Sequence, residues 1–170
     1  MKISNLSVSG DYGQNGRLSM DEYFGLVTLI ISQRSTCLRR HVGALIVDNG
    51  HIIATGYNGA PTKMDDCLEK GCLVRGGHCV RAVHAEQNAL LQTPNLSSLK
   101  NPEIYVTDYP CQICAKSIIQ AGIKKIHFIR EYNSTDPFVE EIFNKSNIEV
   151  DTIDLSKFLD ESCDEENNEH

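Results

Sequence analysis

Two short motifs constrain this chain more than anything else in it: His84-Ala85-Glu86, and Pro110-Cys111-Gln112-Ile113-Cys114. Each stands where a helix is expected to begin. From His84 to Leu91 the Ala, Leu and Gln content reads as helix. Cys111 to Ala121 reads as a second, stopped by Gly122 at its C′ position. Glu103 to Thr107 has the character of a short strand between them. Two cysteines three apart on the first turn of a helix point the same way and can share one ion. The positive end of that helix favours the thiolate, which is the ligating form. For the motifs to act together, the starts of two helices separated by a strand must meet.

The rest of the chain supplies a scaffold for that meeting. Ser19 followed by Glu22 is a capping box. It opens a helix running to about Ser35, with Tyr23, Leu26, Val27 and Ile30 expected on one face. Val42 to Val47 reads as a buried strand, Asn49-Gly50 as a type I′ hairpin turn, and Ile52 to Tyr57 as the returning strand. Ile126 to Ile129 is a further strand. Pro137 to Lys145 is a helix starting on its proline, and Ile148 to Ile153 a last strand. Strands alternating with helices after an initial hairpin give a layered α/β domain with a mixed sheet. That domain is expected over 19–159, after a loose lead over 1–18 and before a disordered acidic tail over 160–170.

Composition narrows the function classes. A formal net charge of -7 argues against a broad nucleic-acid footprint, which needs clustered Lys and Arg. It leaves room for a small phosphorylated substrate, which needs only one or two placed cations. The start of the chain lacks the apolar core of a signal peptide, and Tyr23 to Ile31 is too short to cross a bilayer, so a cytoplasmic location is expected. In that compartment the 7 cysteines point to metal ligation or catalysis before disulfides.

One imidazole, His84, and two thiolates, Cys111 and Cys114, leave the fourth position of a tetrahedral zinc open, as catalytic zinc sites do. A structural zinc is closed by four protein ligands and has no use for an adjacent acid. Here Glu86 stands two residues after the histidine. Water on such a zinc is acidified toward pH ~7, giving hydroxide, and Glu86 is positioned to shuttle its proton. The pattern His-x-Glu…Pro-Cys-x-x-Cys matches the signature of the zinc deaminases.

Beyond the metal motif, the chain resembles the deoxycytidylate (dCMP) deaminases, particularly their bacterial competence-operon and phage branch. The segments that carry this are Ser35-Thr36-Cys37, Val42-Gly43-Ala44 and Gly56-Tyr57-Asn58-Gly59-Ala60-Pro61. His84 to Ala89, Pro110 to Lys116 and Ile118 to Lys125 complete them. The resemblance implies a three-layer α/β/α sandwich with a five-stranded mixed sheet. It implies hydrolysis of dCMP to dUMP and ammonia, with zinc-borne hydroxide attacking C4, and a homohexamer regulated by dCTP and dTTP. Asn58 matches an asparagine that reaches the sugar or base, and Tyr132 a tyrosine over the substrate end of the pocket. Arg39, Arg40 and Lys116 are candidates for the substrate phosphate. Gly56, Tyr57 and Gly59 fall in the effector loop, although Leu91-Gln92-Thr93-Pro94-Asn95 departs from the aromatic and arginine carried by strongly dCTP-regulated members.

The resemblance also addresses residues 58–83, a long segment with little periodic pattern that something must hold. Cys37 and Cys67 match positions that bind a second, structural zinc in phage relatives. The remaining ligands would come from Cys72, His78 and Cys79. Cys163 has no assignment. His41 and His51 read as surface groups, His127 as a core histidine and Tyr109 as pocket wall. Two other functions compete: the same zinc chemistry on free cytidine, guanine or tRNA adenosine, and a non-catalytic zinc-stabilised scaffold in DNA uptake.

Overall fold

The computed structural model describes residues 17–131 and 136–159. Most of the lead, the acidic tail, Tyr132 and Cys163 therefore lie outside the described residues. The elements in chain order are α1 (Met20–Ser32), β1 (Gly43–Asp48), β2 (His51–Tyr57), α2 (Cys67–Lys70), β3 (Val74–Arg75) and β4 (His78–Cys79). They continue with α3 (Ala85–Gln92), β5 (Pro102–Asp108), α4 (Gln112–Gln120), β6 (Lys125–Arg130), α5 (Pro137–Lys145) and β7 (Glu149–Thr152).

Five strands form one mixed sheet in the order β2-β1-β5-β6-β7. The hairpin turns at Asn49 and Gly50, whose φ values of 49° and 76° are what a type I′ turn demands. β1 pairs antiparallel with both β2 and β5, while β5, β6 and β7 run parallel. Parallel neighbours need crossover connections, and α4 and α5 provide them. On one face Ala85, Ala89, Ala115, Ile118, Val139 and Phe143 from α3, α4 and α5 pack on Ile46, Ile104, Val106, Ile126 and Phe128. On the other, Phe24 and Leu29 of α1 pack on Leu45, Val47 and Tyr105. The expected three-layer α/β/α sandwich is the architecture found.

α1 turns a different side inward from the one its apolar spacing suggests. Phe24, Gly25, Thr28, Leu29 and Ser32 are buried, whereas Tyr23 and Ile30 are exposed. Leu26 and Val27 pack only at the margin. The reason is a close approach to the sheet. A Cβ on Gly43 would lie 2.3 Å from the Thr28 carbonyl oxygen, so α1 meets β1 through small residues. Thr28 and Ser32 can be buried there because their hydroxyls donate to the carbonyls of Phe24 and Leu29, at 2.8 and 2.7 Å.

His127 is a core histidine, as its place in an apolar strand suggests. It stacks on Tyr105 with ring centroids 4.1 Å apart, and its Nε2 lies 2.9 Å from Glu103 Oε2. His41 and His51 are exposed. Tyr109 differs from expectation. Rather than walling a pocket, it packs edge-on against Phe128 at 5.1 Å and joins the core under α5.

Candidate active site

The two helix starts meet. His84 caps α3 and Cys111 caps α4, with Cys114 in the first turn of α4. Cys111 Sγ and Cys114 Sγ lie 3.5 and 3.4 Å from His84 Nδ1. Bond lengths typical of tetrahedral zinc require N···S edges of about 3.5 Å, so the donor set fits that ion in spacing as well as in chemistry. α3 is seated by Gly56 of β2, where a Cβ would lie 2.2 Å from the Ala85 carbonyl oxygen. Only glycine lets the strand and the helix start approach this closely.

Electrostatics single out Glu86. Burial pushes its carboxyl up to about 7, and His84 and Cys111 act on it with opposite signs, which places it against the trio. Cys111 is held as thiolate: contact with Cys114, then with His84, outweighs burial and brings it down to about 3. Cys114 is correspondingly pushed up by Cys111 and by burial. His84 is raised, chiefly by Cys111. One thiolate beside an imidazole and a desolvated acid is an arrangement suited to binding a cation and moving a proton.

The other expected residues divide. Asn58 is buried and clamps the loop before β1: its Oδ1 accepts from Val42 N–H at 2.9 Å, and its Nδ2 donates to the Arg40 carbonyl at 2.8 Å. Arg40 pairs with Asp108, Nε to Oδ1 at 3.2 Å. Arg39 Nη1 donates to the Gly77 carbonyl in the 58–83 segment at 2.8 Å. Lys116 is exposed on α4. Gly56 belongs to β2 itself, Tyr57 O accepts from Asn88 Nδ2 at 2.8 Å, and Gly59 bridges to Val83.

A second cluster gathers Cys67, Cys72 and Cys79, their sulfurs all within 4.8 Å of one another. Cys67 Sγ and Cys79 Sγ lie 3.6 Å apart, near the S···S edge of about 3.7 Å that a tetrahedral zinc requires. Burial, with help from Cys79 and Cys72, pushes Cys67 up to about 12. Burial opposes the Cys79 thiolate, but Arg81 N–H and Cys67 outweigh it and bring Cys79 to about 7. Cys37 and His78 stand outside this group; Cys37 is buried and His78 exposed. The cluster sits on α2 and the β3–β4 hairpin, two elements that give the 58–83 segment more structure than its sequence suggests.

The sequence profile of the cytidine and deoxycytidylate deaminase zinc-binding region matches residues 18–130. ComE operon protein 2 of Bacillus subtilis is 41% identical over 84% of this chain and 76% of its own length. The deoxycytidylate deaminase of Saccharomyces cerevisiae is 35% identical over 68% of this chain, which spans 39% of that protein. Among solved structures, dCMP deaminase from the cyanophage S-TIM5 in complex with dCMP and dUMP aligns with a TM-score of 0.67 at 34% identity. That alignment covers 79% of this chain and 96% of that one.

Proposed function

Since the chain belongs to the cytidine and deoxycytidylate deaminase zinc-binding family, we propose that it hydrolyses dCMP to dUMP and ammonia. The observation that carries this reading is the buried Glu86 carboxyl against the His84, Cys111 and Cys114 donor set. Likeness to a phage enzyme solved with dCMP and dUMP supports the substrate. His84, Cys111 and Cys114 would hold a zinc ion, and when bound it would supply a water acidified toward neutral pH. Glu86 would take a proton of the attacking water and deliver it to ring N3; it would then take the proton of the new C4 hydroxyl and pass it to the amino group, which leaves as ammonia while the C4 carbonyl forms. Desolvation helps by keeping the carboxyl close to neutral pH, where either protonation state is reached at small cost. His84 is both ligand and helix cap, so the geometry of the acid is tied to that of the metal site.

The same proposal includes a second, structural zinc on Cys67, Cys72 and Cys79, its fourth ligand drawn from Cys37 or His78. A closed site of that kind braces the 58–83 segment beside α3. Regulation by dCTP and dTTP through the Gly56–Gly59 region, a hexameric assembly, substrate contacts from Asn58 and Tyr132 and a cytoplasmic location complete the reading. They follow from the family resemblance. Among the described residues no helix is long and apolar enough to cross a membrane.

A substrate panel tests it. The zinc-loaded protein is incubated separately with dCMP, CMP, dCTP, deoxycytidine and a tRNA anticodon stem, and product mass is followed. dCMP is expected to turn over fastest, with dCTP and dTTP changing its rate in opposite directions. Preference for deoxycytidine or for the tRNA stem would overturn the substrate assignment.

A further inference from the structure

Asn88 has no metal-binding or acid–base chemistry of its own, yet its side chain joins the helix that carries Glu86 to the loop that carries Asn58. β2 lies at the edge of the sheet, so its outward carbonyls face no further strand. Asn58 N–H donates to the Val42 carbonyl, on the β1 side, at 3.2 Å. The Tyr57–Asn58 peptide bond is trans, so the Tyr57 carbonyl points the opposite way, outward from β2. There Asn88 Nδ2 donates to it at 2.8 Å.

The next peptide unit is gripped in the same manner. The Asn58 carbonyl accepts from the Ser35 hydroxyl at 2.9 Å, and Gly59 N–H donates to the Val83 carbonyl at 3.2 Å. Both peptide units flanking Asn58 are therefore held from two sides. In each, one bond leads to the loop between α1 and β1, and the other to the start of α3. At Val83 that second bond is backbone to backbone; at Asn88 it depends on a side chain. Asn88 N–H also bonds the His84 carbonyl at 3.0 Å, which fixes the residue to the metal-ligand end of its helix. The side chain is half-buried, so water can replace it at the Tyr57 carbonyl. What water does not supply is a fixed distance between that carbonyl and α3.

We propose that Asn88 is a positioning residue for the reaction, setting the Asn58 peptide at a fixed distance from Glu86 so that bound substrate lies in register with the acid. The inference rests on the reading that Glu86 works on a nucleotide that Asn58 helps to hold. Asn88 itself touches neither substrate nor metal and acts through the Tyr57–Asn58 peptide. Without it the loop drifts, while Glu86 stays seated by the close approach of Gly56 to Ala85. Substrate binding then weakens with little change in the chemical step.

The test is steady-state kinetics of the zinc-loaded full chain with dCMP, for wild type, Asn88→Ala and Asn88→Leu, with amide hydrogen exchange on the same proteins. Alanine and leucine are both strong helix formers and neither donates from its side chain. Each variant is expected to raise KM about fivefold, the worth of one neutral hydrogen bond, with kcat changed less than about twofold. The Asn58 amide is expected to exchange about fivefold faster while the Ala89 and Leu90 amides of α3 keep their protection. An unchanged KM would overturn the proposal. A fall in kcat at constant KM would do so as well, because a residue that only stabilises α3 changes the active fraction and not KM. If one variant fails to fold, the other decides alone; failure of both would show a structural role and refute positioning. Should the wild type leave dCMP unchanged, the functional reading falls, and the exchange rate of the Asn58 amide still decides whether Asn88 holds that peptide.

Discussion

Replacing Gly56 by alanine tests how the scaffold holds the site. The added Cβ would sit 2.2 Å from the Ala85 carbonyl oxygen and 2.4 Å from the Ala89 backbone nitrogen. Both are backbone atoms, so no rotamer change relieves the clash. Restoring ordinary contact, roughly 3.5 Å, requires α3 and β2 to separate by about 1 Å. Overpacking of this kind costs about 3 kcal/mol, which in a domain of this size lowers Tm by roughly 6–12 °C. Because α3 begins just after His84 and carries Glu86 in its first turn, the same shift moves the acid relative to the metal ligands. A displacement of about 1 Å is expected to cost on the order of a hundredfold in kcat/KM for dCMP. Gly50→Ala is the control. Nothing stands within 4 Å of its added Cβ, and the residue is strained only by its φ of 76°. It is expected to lose about 1 kcal/mol and keep its turnover. Thermal melts and kinetics on both variants give the answer. A Gly56→Ala protein with wild-type Tm and kcat/KM would refute the close approach of β2 to α3 as the support of the site.

Further expectations concern the second cluster, the loop clamp and the first helix. Cys79→Ser is expected to lower metal content from two zinc ions per chain to one and to open the 58–83 segment to protease; one zinc in the wild type would refute the structural site. Asn58→Ala removes the side-chain hydrogen bonds to Val42 N–H and to the Arg40 carbonyl, so it is expected to cost about 2–3 kcal/mol in urea denaturation and to raise KM for dCMP. Glu22 is held below its ordinary value by Lys157 and by the Ser19 backbone, so its contribution is present above pH 4.5 and lost as pH falls through the lowered folded value. Glu22→Gln is therefore expected to cost about 1 kcal/mol at pH 7 and nothing once both states are protonated. An equal deficit at low pH would show that shape, not charge, is what Glu22 contributes.

What could be read from the sequence was what depends on local spacing. His84, Glu86, Cys111 and Cys114 declare their chemistry within two helix starts, and Ser19 with Glu22, Asn49 with Gly50, and Gly122 punctuate the elements where the structure has them. What could not be read depends on neighbours across the sheet. The buried side of α1 is set by contact with Gly43, not by counting apolar residues, so Thr28 and Ser32 face inward while Tyr23 and Ile30 do not. The Arg40–Asp108–Arg130 group exists because β6 lies beside β5, with Asp108 paired to Arg130, and because the loop before β1 brings Arg40 to the same edge. Likewise, the family resemblance put Cys37 and Cys67 first for the second metal and left the rest to Cys72, His78 and Cys79, whereas the β3–β4 hairpin brings Cys79 to Cys67.

The most direct measurement is ammonia release from dCMP by wild type and Glu86→Gln, with zinc content determined on the same samples. The expected result is dUMP and ammonia in equal amounts from the wild type, and a variant that folds and keeps its zinc while turnover falls by at least about a hundredfold. Near-wild-type turnover by a zinc-loaded Glu86→Gln protein would contradict the assignment of Glu86 as the group that moves the proton.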